Sequence, residues 1–328
     1  MLLAALLAAL GLYWAYSSGG LDAICKKLAG IPEDGRLFRS ITVFGKDDEA
    51  PALSFPPDMS APAETAPPVE PSTGDDDTNI QPTTISGGLV IRNGSSYSVD
   101  VTELMNEGFS LRLPEGEPQI LIIHTHSSEA YTPAGLDKYE ESSSYRTQDR
   151  NFSVQRVGDE LCRVFEEHGL SVIHDEGVYD YPSYTGSYDR SCEAVKAYLE
   201  KYPSICVVID LHRDALGTND VTFKTVATEE GVCASQIMLL AGSDDSGLEH
   251  PHWRENLKLA LYLQKSVISK YPSLMRPVQL VSYRYNQHLT TGSLILEVGS
   301  NGNTLQEALA AIRLFGDAAG EALAALIE

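Results

Sequence analysis

Residues 118–129 read Pro-Gln-Ile-Leu-Ile-Ile-His-Thr-His-Ser-Ser-Glu. The aliphatic run Ile120 to Ile123 passes straight into His124, Thr125 and His126, and Glu129 follows three places further on. A short unbroken apolar run with polar ends is the pattern of a strand buried on both faces. In an open α/β sheet, ligands collect beyond the carboxyl ends of such strands. Imidazole and carboxylate are delivered there together, and that is where chemistry is expected.

The pattern recurs outward from this stretch. Val154, Val157, Leu161, Val164, Phe165 and His168 mark one face of a helix that Gly169 stops. Leu170 to His174 is the next predicted strand. Cys192, Val195, Leu199 and Tyr202 share a face of a second helix, closed by Pro203. Ile205 to Ile209 reads as another buried strand, running into Asp210, Leu211, His212, Arg213 and Asp214. Further strands are predicted at Val221–Thr228 and Ser235–Leu240, and a helix from about Arg254 to Lys270. A last strand, Ser293 to Leu296, ends at Glu297, and Thr304 with Glu307 forms a capping-box pair opening the final helix. Gly88 to Leu113, with turn signals at Asn93-Gly94 and Glu107-Gly108, reads as a β lead-in. Strand and helix alternate. The expected body is α/β, with a central, mainly parallel or mixed sheet flanked by helices on both faces.

What precedes the body differs in composition. Residues 1–16 carry no charged side chain, and the first charge is Asp22. Sixteen residues of helix reach only ~24 Å, and extension to Gly20 is needed to approach a ~30 Å hydrocarbon core. Residues 1–20 are therefore read as a membrane anchor. Lys26, Lys27, Arg36 and Arg39 follow it, which by charge alone favours a cytoplasmic body. A body outside the membrane requires basic residues ahead of residue 1. Residues 21–85 are read as an acidic, proline-rich linker. Eight prolines lie between Pro51 and Pro82, and nine acidic residues face Lys46 alone between 45 and 80. Such a segment buries too little apolar area to fold. Residues 86–328 are left as the catalytic body.

Over the whole chain, 24 basic residues face 46 acidic ones, a formal net charge of −22, which argues against nucleic acid as a partner. The five cysteines, Cys25, Cys162, Cys192, Cys206 and Cys233, show no Cys-x-x-Cys spacing and are read as small core hydrophobes.

Three predicted strands end in residues of one chemical kind: His124 and His126 with Glu129, His212 with Asp210 and Asp214, and Glu297. If these strands are neighbours, two imidazoles and a carboxylate converge with an open fourth position, the donor set of a catalytic zinc site. A further carboxylate, for which Glu297 is the candidate, can then take the proton of an attacking water. His-x-x-Glu alone is a weak signal; the recurrence of a strand-end His, a second strand-end His and a strand-end Glu carries the reading. His168, His174, His250, His252 and His288 lack such partners and are read as hydrogen-bonded surface groups.

The stretches THSSEAYTP (125–133), YRTQDRNFSVQRVGDEL (145–161), DYPSYTGSYDRS (180–191), DLHRDA (210–215) and ILEVGSNGNT (295–304) together resemble the stage II sporulation protein P family. The resemblance covers roughly Gly88 to the C-terminus and implies a single amidase-like domain. It implies a membrane-anchored, zinc-dependent peptidoglycan hydrolase, related to N-acetylmuramoyl-L-alanine amidases and acting during spore engulfment. Cleavage of the lactoyl–L-alanine amide and of peptide cross-links is implied. So are an extracytoplasmic body on a single membrane pass and two partners, the stage II sporulation proteins D and M. Carried over by motif, His126 and His212 match metal ligands and Glu297 the catalytic carboxylate. Glu129 is taken as third ligand because His126-Ser-Ser-Glu129 can place both groups on one turn, with Glu140, Glu141 and Asp149 as rivals. His124 is the rival first ligand, and shares the face of His126 if the strand continues. Arg213 is read as pairing with Asp210. The competing functions are a metallocarboxypeptidase-like exopeptidase, with Arg213, Arg254 or Arg284 binding a free carboxylate, and a catalytically silent wall-binding scaffold.

Composition alone yields one expected outcome. A broad protease should cut first within residues 45–82 and leave a stable fragment beginning near residue 85, read by mass. Protection of 45–82 would show that this segment is no spacer.

Overall fold

The computed structural model describes residues 83–86, 88–218 and 221–328. The predicted anchor and nearly all of the predicted linker lie outside the described residues. Among those described, no helix is long and apolar enough to cross a membrane. The chain runs β1 (Thr83–Ser86), β2 (Leu89–Asn93), α1 (Val101–Asn106), β3 (Ile120–Ile123), α2 (Val154–Glu167), β4 (Val172–His174) and α3 (Ser187–Lys201). It continues through β5 (Val207–Asp214), β6 (Ala227–Glu229), β7 (Val232–Ala234), β8 (Ile237–Ala241), α4 (Trp253–Lys270), β9 (Val278–Leu280), β10 (Ser293–Ser300) and α5 (Leu305–Ala324).

Eight strands form one sheet in the order β1-β2-β9-β8-β10-β5-β3-β4. Its neighbours pair in parallel except β1 with β2 and β10 with β8. The sheet is mixed and mainly parallel. All four residues of β3 are buried, because alternate side chains enter two different cores. Ile120 and Ile122 join the main cluster with Leu161 and Phe165 of α2, Leu257 and Leu261 of α4, and Ile312 and Phe315 of α5. Leu121 and Ile123 join a smaller cluster with Val195 of α3 and Val208 of β5. Helices therefore cover both faces, the short α1 with α2, α4 and α5 in the main cluster and α3 on the other side.

Several expected boundaries move. The β lead-in is β2 followed by the short helix α1, whose N-cap Asp100 accepts a hydrogen bond from Glu103 N. The predicted strand Val221–Thr228 does not form. Its only strand residues are Ala227 and Thr228 in β6, which pairs with β7 in a separate two-stranded hairpin. The segment before it is held by side chains instead, as where Asn303 Nδ2 donates to Thr225 O at 2.8 Å. Cys233 lies exposed on that hairpin, while Cys162, Cys192 and Cys206 are half-buried. The reading of cysteines as core residues therefore fails at Cys233, where a two-stranded ribbon leaves one face uncovered. Strand β9 is a three-residue addition with no alternation long enough to announce it.

Two corrections bear on the site. β5 and β10 run past the residues predicted to end them, to Asp214 and Ser300. His212 and Glu297 therefore sit inside paired strands, because the parallel ladder between β5 and β10 continues through them. β3 does stop at Ile123.

The predicted capping box is formed. Thr304 Oγ1 accepts from Glu307 N at 3.2 Å, and Glu307 Oε2 accepts from Thr304 N at 3.0 Å. Thr304→Ala removes one side of it, and a loss of about 0.5–2 kcal/mol in urea unfolding is expected. An unchanged midpoint would mean that the packing of α5 outweighs its cap.

Candidate metal centre

Alternation along two adjacent strands builds the floor of the site. Val207, Ile209 and Leu211 of β5 point into the main core, and Leu294, Leu296 and Val298 of β10 do the same. Asp210, His212 and Glu297 consequently face the α3 side of the sheet. His212 and Glu297 are direct register partners across the parallel β5–β10 pair.

The third component arrives from the turn after β3. Glu129 N donates to His126 O at 3.1 Å, closing a turn that brings both side chains to one place. His126 Nδ1 lies 3.6 Å from Glu129 Oε1, and His212 Nδ1 lies 3.3 Å from Glu129 Oε2. The two imidazoles meet edge to face with ring centroids 5.1 Å apart. One potential ligand atom from each of these three buried residues lies within 4.8 Å of the others. Two donors held at ~2.0–2.1 Å by one tetrahedral cation such as zinc would be ~3.3–3.4 Å apart. The observed separations, one from each ring nitrogen to an oxygen of the Glu129 carboxylate, are of that size and suit the three groups closing on such an ion.

The far side of each ring is also engaged, as metal-binding imidazoles require for orientation. His126 Nε2 is 3.2 Å from Ser187 Oγ at the start of α3. His212 Nε2 is 2.9 Å from Asp210 Oδ1, an ion-pair distance although the approach is not aligned as an N–H···O hydrogen bond. Asp210 is itself fixed by Thr125, whose N and Oγ1 donate to its two oxygens at 2.8 and 2.7 Å. Tyr184 stacks on the His126 ring at 4.5 Å, and the Arg146 guanidinium lies 4.9 Å from the Tyr184 ring centre.

Charge around Glu129 is balanced by two arginines. Arg146 Nη2 lies 3.3 Å from Oε1, and Arg213 donates its backbone N–H to Oε2 at 3.2 Å. Burial alone would raise this carboxyl, but Arg213 and the contacts with His126 and His212 hold it well below the usual carboxylate range. Burial would likewise lower His212, yet Asp210 and Glu129 raise it well above an ordinary imidazole. At His126 burial prevails over Glu129, and its affinity for a proton falls. Glu297 differs from all of these. Its Oε2 is buried without a hydrogen-bond partner. Burial, then the neighbouring Asp214 carboxylate, push it up to about 8. An orphaned buried oxygen beside such a donor set fits a site that takes a cation and a water.

Of the residues named from sequence, the structure brings together His126, Glu129, His212 and Glu297. Glu140, Glu141 and Asp149 are exposed, and none joins the cluster. His124 keeps the α2 side of the sheet that Ile120 and Ile122 face, where its Nε2 meets His174 Nε2 at 2.8 Å, and His126 leaves that face because β3 ends at Ile123. Arg213 does not pair with Asp210. It donates Nε to Ala130 O and Nη2 to Tyr145 O, at 3.0 and 3.1 Å. Residues three apart on a strand point to opposite faces, whereas Asp210 and His212, two apart, share one. His174 is half-buried and paired with Asp159, and His250 is fully buried with no partner on either ring nitrogen. Neither is the surface group expected.

Arg146, Asp180, Ser187 and Tyr184 were not anticipated. Arg146 Nη1 reaches Asp180 Oδ2 at 2.9 Å, and Asp180 also accepts from Ser127 and Ser128. All four lie within the stretches 145–161 and 180–191. Their density of Arg, Tyr, Ser and Asp was the available signal, but nothing in their spacing connects them to His126.

Comparison with known proteins bears on the whole body. Residues 58–319 match the family described as stage II sporulation protein P. The curated stage II sporulation protein P of Bacillus subtilis (strain 168) is 30% identical over 203 residues, 57% of this chain and 47% of that protein. The chain thus spans about half the length of the curated relative it matches. Among solved structures, the apo form of the N-acetylmuramyl-L-alanine amidase Ami1 from Mycobacterium abscessus aligns with a TM-score of 0.38 at 11% identity, over 65% of this chain and 99% of that one. The CwlD amidase from Clostridioides difficile, solved in complex with the GerS lipoprotein, gives 0.38 at 12% identity, over 63% and 98%. These structural likenesses are too distant to carry an argument about this chain.

The geometry sets the expected roles. His126→Ala or His212→Ala should leave a two-donor site that loses added zinc on gel filtration, and Glu129→Gln should weaken retention. Zinc per chain by elemental analysis reads all three. Full retention by either alanine variant would move the metal elsewhere.

Proposed function

The chain belongs to the stage II sporulation protein P family, and from that premise we propose that it is a zinc-dependent peptidoglycan hydrolase. The proposed bonds are the lactoyl–L-alanine amide joining muramic acid to the stem peptide, and peptide cross-links as well. One observation carries the reading: the cluster of His126, Glu129 and His212 with the unpartnered Glu297 beside it on the next strand. His126, Glu129 and His212 would hold the zinc. When bound, zinc supplies Lewis acidity that makes water nucleophilic near neutral pH and polarises an amide carbonyl.

The remaining steps belong to the chain's own groups. Glu297 Oε2, fixed on a central strand and free of competing bonds, accepts a proton from the attacking water. The same carboxyl then returns the proton to the departing amine, so its charge is restored at each turnover. Asp210 and Ser187 keep the two imidazoles in orientation. Tyr184 and Arg146 cover the outer side of His126.

The exopeptidase alternative needs an unoccupied cation for a free carboxylate. Arg213 is committed to Ala130, Tyr145 and Glu129, Arg254 to Glu107 at 2.7 Å, and Arg284 donates Nη1 to the Glu249 carbonyl at 2.8 Å. The scaffold alternative is disfavoured by a complete and internally balanced donor set. The reading extends to a body held outside the cytoplasmic membrane by residues 1–20, with stage II proteins D and M as partners; family membership supports both.

Glu297→Gln is the test. It keeps shape and cannot accept the proton, so turnover on purified peptidoglycan should fall by about 10²–10⁴-fold or more. Zinc content should stay at the wild-type level, and a chelator should abolish wild-type cleavage. Mass analysis of the products separates amide from cross-link hydrolysis. Undiminished cleavage by Glu297→Gln would refute the mechanism.

A further inference from the structure

His124 was passed over as a ligand, yet it is fully buried and bonded at both ring nitrogens. Its Nδ1 lies 2.8 Å from the carbonyl of Leu211, the residue before His212. A carbonyl only accepts, so Nδ1 carries the hydrogen and Nε2 the lone pair. That lone pair faces His174 Nε2 at 2.8 Å, which must therefore donate. His174 Nδ1 meets Asp159 Oδ1 at 3.1 Å, and Asp159 is held in turn by Arg150 at 2.8 Å. A line of side chains thus runs from α2 through β4 to the end of β3 and onto β5.

The position of the Leu211 bond gives the line its purpose. The parallel ladder between β3 and β5 has its last register pair at Ile123 and Asp210. One residue further on, the His124 side chain ties the two chains together where the strand pairing has stopped. His126 lies two residues beyond one end of this bond, and His212 one residue beyond the other. Gly158 on α2 leaves the room: a Cβ there would sit 2.6 Å from Nε2 of both His124 and His174.

We propose that His124, oriented by His174, is a positioning residue whose bond to the Leu211 carbonyl sets the separation of His126 and His212. The inference rests on the metal-centre reading above, and its test distinguishes the two. Zinc affinity of the full chain is measured by chelator competition for wild type, His124→Leu, His124→Asn and Gly158→Ala. The absorption of the cobalt(II)-substituted proteins reports ligand geometry independently of activity. His124→Leu removes the donor, and about 10–100-fold weaker binding with a shifted cobalt band is expected. Asparagine can place its Nδ2 near the former Nδ1 and keep the Leu211 bond, so His124→Asn should bind within about threefold of wild type. Gly158→Ala alters no ring and substitutes the better helix former, yet should weaken zinc in the same sense as His124→Leu by displacing the pair. It keeps the inference testable if His124→Leu fails to fold. Equal zinc affinity in wild type, His124→Leu and Gly158→Ala would overturn this inference alone. Asparagine as weak as leucine would overturn the role of the Leu211 bond. A wild-type chain that binds no zinc would overturn the metal-centre reading and this inference with it.

Discussion

The parallel pairing of β10 with β5 is the constraint on which the site depends. Because Glu297 and His212 are register partners, a carboxylate and an imidazole are held side by side by backbone hydrogen bonds rather than by their own attraction. Both strands are central in the sheet and have neighbours on each side. The core residues between them, Leu211 and Leu296, are fully buried. A slip of one residue would send the polar pair into the main core and the leucines to the site, which makes the register costly to change. Glu297 can then be left without a partner, since its position does not rely on one.

The loops supply what the strands cannot. The turn from His126 to Glu129 adds the second imidazole and the carboxylate between the rings. Burying that carboxylate is expensive unless its charge is met. Arg213 meets it from β5, and Arg146 from a distant segment. Arg146 also reaches Asp180, so one side chain joins the turn after β3 to the chain leading into α3. Asp180 in turn accepts from Ser127 and Ser128 within that same turn. Balanced charge and rigid placement are here one network, as buried polar groups require to be tolerated at all.

Where local pattern and burial agreed, the elements were legible. Four aliphatic residues before His124, the helical spacing from Val154 to Phe165, and Thr304 with Glu307 each correspond to an observed element or cap. The misreadings share a cause. Val221 to Thr228 has strand-forming residues, but no neighbouring strand offers most of it a ladder, and β propensity is largely the propensity to fit such a surface. Glu107-Gly108 marks the end of a helix rather than the turn of a hairpin, because Asp100 caps the residues before it. Arg213 was joined to Asp210 by proximity along the chain, whereas pleating separates them.

The sequence by itself determined the α/β class, the succession of most strands and helices, and the residue types available for metal chemistry. Those follow from periodicity and side-chain chemistry, which are local. It named His126, Glu129, His212 and Glu297, but could not choose between Glu129 and its acidic rivals, or between His126 and His124. Only the tertiary structure decided which of these meet. That choice turns on β3 ending at Ile123, on β5 lying between β3 and β10, and on the face to which each residue is turned. The pairing of β5 with β3 and with β10, like the bond from Arg213 N to Glu129, joins segments more than eighty residues apart, and no local spacing encodes it.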